Sequence, residues 1–132
     1  MRGFFLFPCR IYLLHMNDKK ILIVDDSGSM REILTEILKK GGYTNVMGAA
    51  NGEDGIIQFN KERPDLVILD IIMPGMNGIE VLRTIGKVAK VLVLSAIGQD
   101  SIIIDAKKFG ALDYLVKPIE ENEVLSKVSR YL

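Results

Sequence analysis

Between Lys20 and Leu132 the chain alternates two hydrophobic periods. Five short apolar runs recur: Lys20–Val24, Asn45–Ala49, Leu66–Leu69, Val91–Leu94 and Asp113–Val116. Three of them, ILIV, LVIL and VLVL, are continuously apolar, as strands covered on both faces of a parallel sheet are. Between the runs the spacing becomes helical. Met30, Ile33, Leu34, Ile37 and Leu38 form one stripe. Ser29 precedes Glu32 by a capping-box spacing, and Gly41-Gly42 ends this first helix. Asn51-Gly52 opens a second helix, with Pro64 beyond its end. A third covers about Gly78 to Ile85, and a fourth Gln99 to Phe109. In the fourth, Ile102, Ala106 and Phe109 define the expected buried stripe, so Ile103 or Ile104 should face solvent beside Tyr114. The fifth, Glu121–Leu132, lines up Val124, Leu125, Val128, Tyr131 and Leu132. This order predicts an α/β fold, a doubly wound (βα)5 parallel sheet with right-handed crossovers.

Composition narrows the class. At 132 residues the chain suits one domain, and 48% apolar with 26% charged residues is ordinary globular composition. Seventeen bases balance 17 acids with no basic run, which gives no electrostatic footprint for nucleic acid. The longest stretch without Lys, Arg, Asp or Glu is Gly41–Gly52, too short and polar for a membrane span of roughly 20 apolar residues. Cys9 is the single cysteine, so no internal disulfide or Cys-based metal site is available, which fits a reducing, cytoplasmic setting. Residues 1–15 hold Arg2, Arg10 and three of the five Phe but no acid. Pro8 and Arg10 interrupt them as a signal peptide. They are read as an extension preceding a domain over residues 16–132, with a membrane-surface anchor as the alternative. The chain stops with the fifth helix, so a stand-alone domain is expected.

Ligands of open parallel sheets bind beyond the carboxyl ends of the strands. Those ends carry Asp25-Asp26, Asp70, Ser95-Ala96 and Lys117-Pro118. Each has an ordinary reading: a carboxylate or Ser there often caps a helix, a lone Lys is usually solvated, and Lys-Pro can be a turn. The conjunction argues otherwise. Three converging carboxylates repel by about 3 kcal/mol per pair at ~5 Å and an effective dielectric of ~20. Lys117 and a hard divalent cation such as Mg²⁺ would offset that. Asp26 and Asp70 as metal ligands, beside Lys117 and the Ser95 hydroxyl, make a phosphoryl-transfer arrangement with Asp70 as nucleophile.

These residues match a family. Ile21–Ser27 (ILIVDDS), Leu69–Gly78 (LDIIMPGMNG), Ser95-Ala96 and Asp113–Pro118 (DYLVKP) closely resemble the receiver domain of two-component response regulators, over about Lys19 to Leu132. The resemblance implies a flavodoxin-like sheet of order 2-1-3-4-5 and phosphorylation of Asp70 by a histidine kinase. Asp25, Asp26, Asp70 and the backbone carbonyl of Ile72 would bind Mg²⁺, Lys117 would stabilise the phosphoryl group, and Ser95 with Tyr114 would form a switch pair. Ser95 stands where Thr is commoner. Such a domain catalyses only its own phosphorylation and dephosphorylation. Its output face here would comprise Ile103, Ile104 and Tyr114, meeting a downstream switch or adaptor protein, and a phosphatase would reset it. DDS-x-S-MR, SAIGQ and the expected stand-alone length are most similar to chemotaxis regulators of the flagellar motor; single-domain phosphorelay intermediates share the pattern. The two positions flanking the path of hydrolytic water would be Ile72 and Ile97, neither able to orient a water.

Two other classes compete. An FMN electron carrier of this fold needs a Ser/Thr/Gly-rich loop after the first strand, where Asp25-Asp26 would instead repel the phosphate. A phosphatase of the haloacid-dehalogenase type needs D-x-D on the first strand, which is missing.

Overall fold

The structure, a computed structural model, describes residues 18–132. The segment 1–15 and the start at Met16 lie outside the described residues. Five strands alternate with five helices: β1 (Lys20–Val24), α1 (Gly28–Lys40), β2 (Asn45–Ala49), α2 (Gly52–Glu62), β3 (Leu66–Asp70), α3 (Gly78–Ile85), β4 (Val91–Ala96), α4 (Asp100–Lys108), β5 (Asp113–Lys117) and α5 (Glu121–Tyr131). The strands form one parallel sheet in the order β2-β1-β3-β4-β5. The flavodoxin-like topology is the one expected.

The hydrophobic pattern explains the strand order. The three continuously apolar runs form the three central strands, and their ILIV, LVIL and VLVL residues are 0–1% exposed. The two mixed runs, β2 and β5, are the edges. Side chains along each strand alternate between two cores. Ile21, Ile23, Leu66, Ile68, Leu92 and Leu94 meet Leu34, Ile37, Leu38, Val124 and Val128 of α1 and α5. On the other face, Leu22, Val24, Val67, Leu69 and Val93 meet Phe59, Val81, Leu82, Ile85 and Ala106 of α2, α3 and α4. Burying each such side chain stabilises the fold by roughly 1.5–3 kcal/mol.

Three local expectations are corrected. α1 is capped by Ser27, whose hydroxyl accepts from the Met30 amide at 3.2 Å, and Ser29 lies within the first turn. Ile33 is 48% exposed, because α1 meets the sheet through Leu34, Ile37 and Leu38 while Ile33 overlooks a shallow groove shared with Ile119. In α4 the expected stripe does face the core, Ala106 fully buried with Ile102 and Phe109 packed against it, but Ile103 is buried as well. Ile103 is therefore no surface residue. Ile102 and Phe109 are only half-buried, Phe109 lying under the Arg83 guanidinium, 4.6 Å from its ring centre. Ile104, at 57% exposure, is the isoleucine that faces out.

Candidate functional site

Strand register assembles the site. Val24 pairs with Leu69, so one step further Asp25 comes beside Asp70 on the adjacent strand. Asp70 pairs with Leu94, and Ala96 pairs with Lys117. Asp70 and Lys117 are the last residues of β3 and β5, one residue further than hydrophobicity alone marked those strands. Asp25 and Asp70 fall on the same alternation as Ile23 and Ile68, so they leave one sheet face together. Gly78 lets α3 start against this edge: a Cβ there would lie 2.5 Å from the Asp70 carbonyl oxygen, and its amide bonds the Ile71 carbonyl at 2.9 Å.

Asp70 is 5% exposed. One carboxylate oxygen accepts from the Ile72 amide at 3.2 Å and the other from Lys117 Nζ at 3.1 Å. Asp25 is fully buried, and its Oδ1 accepts from the Ser27 amide at 2.9 Å. Its Oδ2 has no hydrogen-bond partner and lies 3.7 Å from Lys117 Nζ. Asp26 is exposed, yet Asp25, Asp26 and Asp70 each place a carboxylate oxygen within 4.8 Å of the others. Burial holds the Asp25 carboxyl above the ordinary range and the nearby Asp70 charge pushes the same way, against the Ser27 amide and Lys117. The Lys117 ammonium pairs with Asp25 and Asp70, and Asp26 beside them has no ion pair among the described residues. An all-oxygen donor set with one buried, unpartnered oxygen suits a hard divalent cation such as Mg²⁺.

Across the site, Ser95 Oγ is buried and also lacks a partner. A buried hydroxyl without a bond costs about 1–3 kcal/mol, which an incoming acceptor would relieve. Val93 pairs with Tyr114 and Ser95 with Val116, so Ser95 and Tyr114 share a sheet face one rung apart. Tyr114 is half-buried, with Lys127 Nζ 4.6 Å and Lys107 Nζ 5.4 Å from its ring centre.

A family model described as the response regulator receiver domain matches residues 21–129. The chain belongs to this family. Like this receiver domain, the chemotaxis protein CheY of Thermotoga maritima is 42% identical over 118 residues, 85% of this chain and 98% of that protein. The sporulation initiation phosphotransferase F of Bacillus subtilis is 41% identical over 120 residues, 89% of this chain and 96% of its own. A solved response regulator from Chloroflexus aurantiacus superposes with a TM-score of 0.81 at 35% identity, covering 86% of this chain and 96% of that one. No helix among the described residues of the receiver domain is long and apolar enough to cross a membrane.

The structure brings Asp25, Asp26, Asp70, Ser95 and Lys117 to one rim, while Ile104 and Tyr114 belong to the neighbouring α4 and β5. Ile72 and Ile97 are 53% and 79% exposed and cover no core. Sequence reasoning passed over Arg31, whose Nη1 donates to the Asp25 carbonyl at 2.7 Å and holds the β1–α1 turn. It also passed over Gln99, whose side-chain oxygen accepts from the Ala96 amide at 2.7 Å. The only signal for Gln99 was a polar residue three positions after a strand end.

Proposed function

We propose that this receiver domain is a phosphoacceptor response regulator in which Asp70 takes a phosphoryl group from a histidine kinase. In that step an Asp70 oxygen bonds to phosphorus as the bond to the histidine nitrogen breaks, and the histidine, protonated on its other ring nitrogen, keeps the electron pair and leaves as the neutral imidazole. The observation that carries this reading is Asp70 itself, buried between Lys117 and two further carboxylates, with two unpartnered buried oxygens, Asp25 Oδ2 and Ser95 Oγ, close to it in the fold. Lys117 neutralises one phosphoryl oxygen and Ser95 donates to another. Asp25, Asp26, Asp70 and the Ile72 carbonyl would hold Mg²⁺, which supplies charge neutralisation at the transferring group. Phosphorylation, through Ser95 and Tyr114, switches a partner-binding face that includes Ile104, and a phosphatase resets it.

Chemotaxis control in the cytoplasm is the pathway favoured by the likeness to the Thermotoga protein. Comparable identity to the sporulation phosphotransferase supports a second reading, a phosphorelay intermediate that passes the group to another histidine. Incubation with a small phosphodonor and Mg²⁺ tests the acceptor: wild type should gain one hydroxylamine-sensitive phosphoryl group, and Asp70→Asn none. Labelling that persists in Asp70→Asn sinks the assignment. Transfer from the labelled protein to a histidine phosphotransferase would favour the relay. Phosphorylation-dependent binding to a motor-switch protein, lost in Ile104→Asp, would favour chemotaxis.

A further inference from the structure

The turn after β4 carries a contact that the reading above does not use. Neighbouring residues of a strand direct their amides to opposite sides. The Leu94 carbonyl accepts from the amide of Ile71, the residue just after β3, at 3.1 Å, so Leu94 faces β3 and Ala96, two residues on, presents its amide the same way. Leu94 pairs with Asp70, so the Ala96 amide is the next donor along β4 above the Asp70 carboxylate. That donor is occupied from within the chain. Gln99 Oε1 lies 2.7 Å from it, a short hydrogen bond.

The geometry is built for this contact. Gly98 has φ +89°, a conformation glycine adopts at no steric cost, and it reverses the chain so that Gln99 reaches back three residues. Helices α1, α2 and α3 each start on a side-chain cap, from Ser27, Asn51 and Asn77. α4 has none. Its N-cap residue is Gln99, whose carbonyl accepts from the Ile102 and Ile103 amides while its side chain serves the strand instead.

We propose that Gln99 is a positioning residue of the phosphoacceptor site: its side-chain oxygen holds the Ala96 amide until a phosphoryl oxygen on Asp70 displaces it, freeing the side chain at the start of α4. The inference rests on the phosphoacceptor reading and adds a competitor to it. A charged phosphoryl oxygen makes a hydrogen bond roughly twice as strong as a neutral carboxamide does, so the exchange runs toward release when the site is loaded. Gln99 therefore opposes loading and links it to the helix that bears Ile104.

The test uses the full chain, beryllofluoride as the phosphoryl mimic, saturating Mg²⁺ and ¹H–¹⁵N spectra. Gln99→Leu keeps the bulk and removes the acceptor. It should bind beryllofluoride about three- to tenfold more tightly, the factor that one neutral hydrogen bond carries. Its Mg²⁺ affinity without fluoride should stay within about twofold of wild type, since the carboxylates are untouched. Its Ala96 amide proton should move upfield before any ligand is added. In wild type, the Gln99 side-chain amide resonances should shift with the same titration midpoint as Ala96. Equal or weaker beryllofluoride binding by folded Gln99→Leu overturns the inference. So does a wild-type Gln99 side-chain signal that stays put at saturation, a readout that needs no variant. Wild type that neither binds beryllofluoride nor labels at Asp70 would instead refute the phosphoacceptor reading, and the inference with it.

Discussion

Two carboxylate clusters stand at opposite edges of the same sheet, each with a lysine about 3 Å away, and they are held in opposite electrostatic states. At the amino end of β5, Asp113 accepts from the Tyr114 amide at 2.8 Å, Lys127 at 3.3 Å and the Tyr131 hydroxyl at 3.0 Å, with Arg130 at 3.6 Å. Lys127 also donates to the Tyr114 carbonyl and pairs with Glu123 at 3.5 Å. Burial alone would raise the Asp113 pKa, but the bonds from Tyr114, Tyr131 and Lys127 outweigh it and the carboxyl sits below its usual range. At the carboxyl end, Asp25 has one amide, a lysine at 3.7 Å, two neighbouring carboxylates and an unpartnered oxygen, and its pKa is raised. The first cluster is complete and ties α5 to the sheet. The second is incomplete, and its unmet interactions are what a cation and a phosphoryl group would supply.

The largest effect that would sharpen this contrast is kinetic. Ile72 and Ile97 stand exposed beside the acidic edge and offer no hydrogen bond to an attacking water. Phosphoryl loss from Asp70 should therefore be slow, with fast reset depending on a phosphatase or back-transfer. Ile72→Asn combined with Ile97→Glu should speed it by about tenfold or more, because groups that orient or deprotonate water contribute on that scale. The measurement is decay of the labelled protein after removal of the phosphodonor. A rate that is unchanged, or slower, refutes this reading of Ile72 and Ile97.

Next in size is a pair of substitutions with opposite signs. Without Mg²⁺, Asp25→Asn should stabilise the fold by roughly 1–3 kcal/mol: it removes one of three like charges and lets the new amide donate toward Asp70. The same change should reduce the stabilisation that Mg²⁺ gives wild type. Asp113→Asn should destabilise by about 2 kcal/mol, since it strips charge from bonds made by Lys127, Tyr131 and Arg130. Denaturant unfolding with and without Mg²⁺ reads both. If both variants lose stability, the two clusters are not opposites and the comparison fails.

Much of this was legible in the sequence, for identifiable reasons. The continuous apolar runs ILIV, LVIL and VLVL fixed the central strands, because a strand covered on both faces has no polar side to alternate with. The rim residues were legible because parallel topology puts every strand's carboxyl end on one edge. Asp113 was not, since a charged residue at a strand start looks solvated until α5 folds back with Lys127 and Tyr131. The Ser27 cap was obscured by Ser29, two residues away with its own capping-box partner Glu32. The stripe on Ile102, Ala106 and Phe109 was legible, but the burial of Ile103 was not, because how far round a helix is covered depends on the neighbours it docks against rather than on its own period.

The smallest expected effect is a pH dependence, and it asks whether the β5–α5 cluster is as complete as its geometry indicates. Because the folded Asp113 carboxyl has a lowered pKa, the folded state holds that proton less tightly than the unfolded chain does. Its contribution is therefore fully present above the unfolded value of about 3.9 and is lost as pH falls through the lower folded value. Asp113→Asn removes the titrating group, so its destabilisation relative to wild type should be constant from pH 7 to about pH 5 and should shrink below about pH 4. The destabilisation by Lys127→Met should shrink in part over the same interval, by the share its ammonium exerts on Asp113, while its bond to the Tyr114 carbonyl does not titrate. Unfolding free energies at pH 7, 5 and 3 decide the point. A difference that stays constant to pH 3 would mean Asp113 acts there through hydrogen-bond geometry rather than charge. The contrast with Asp25 would then be one of bonding alone.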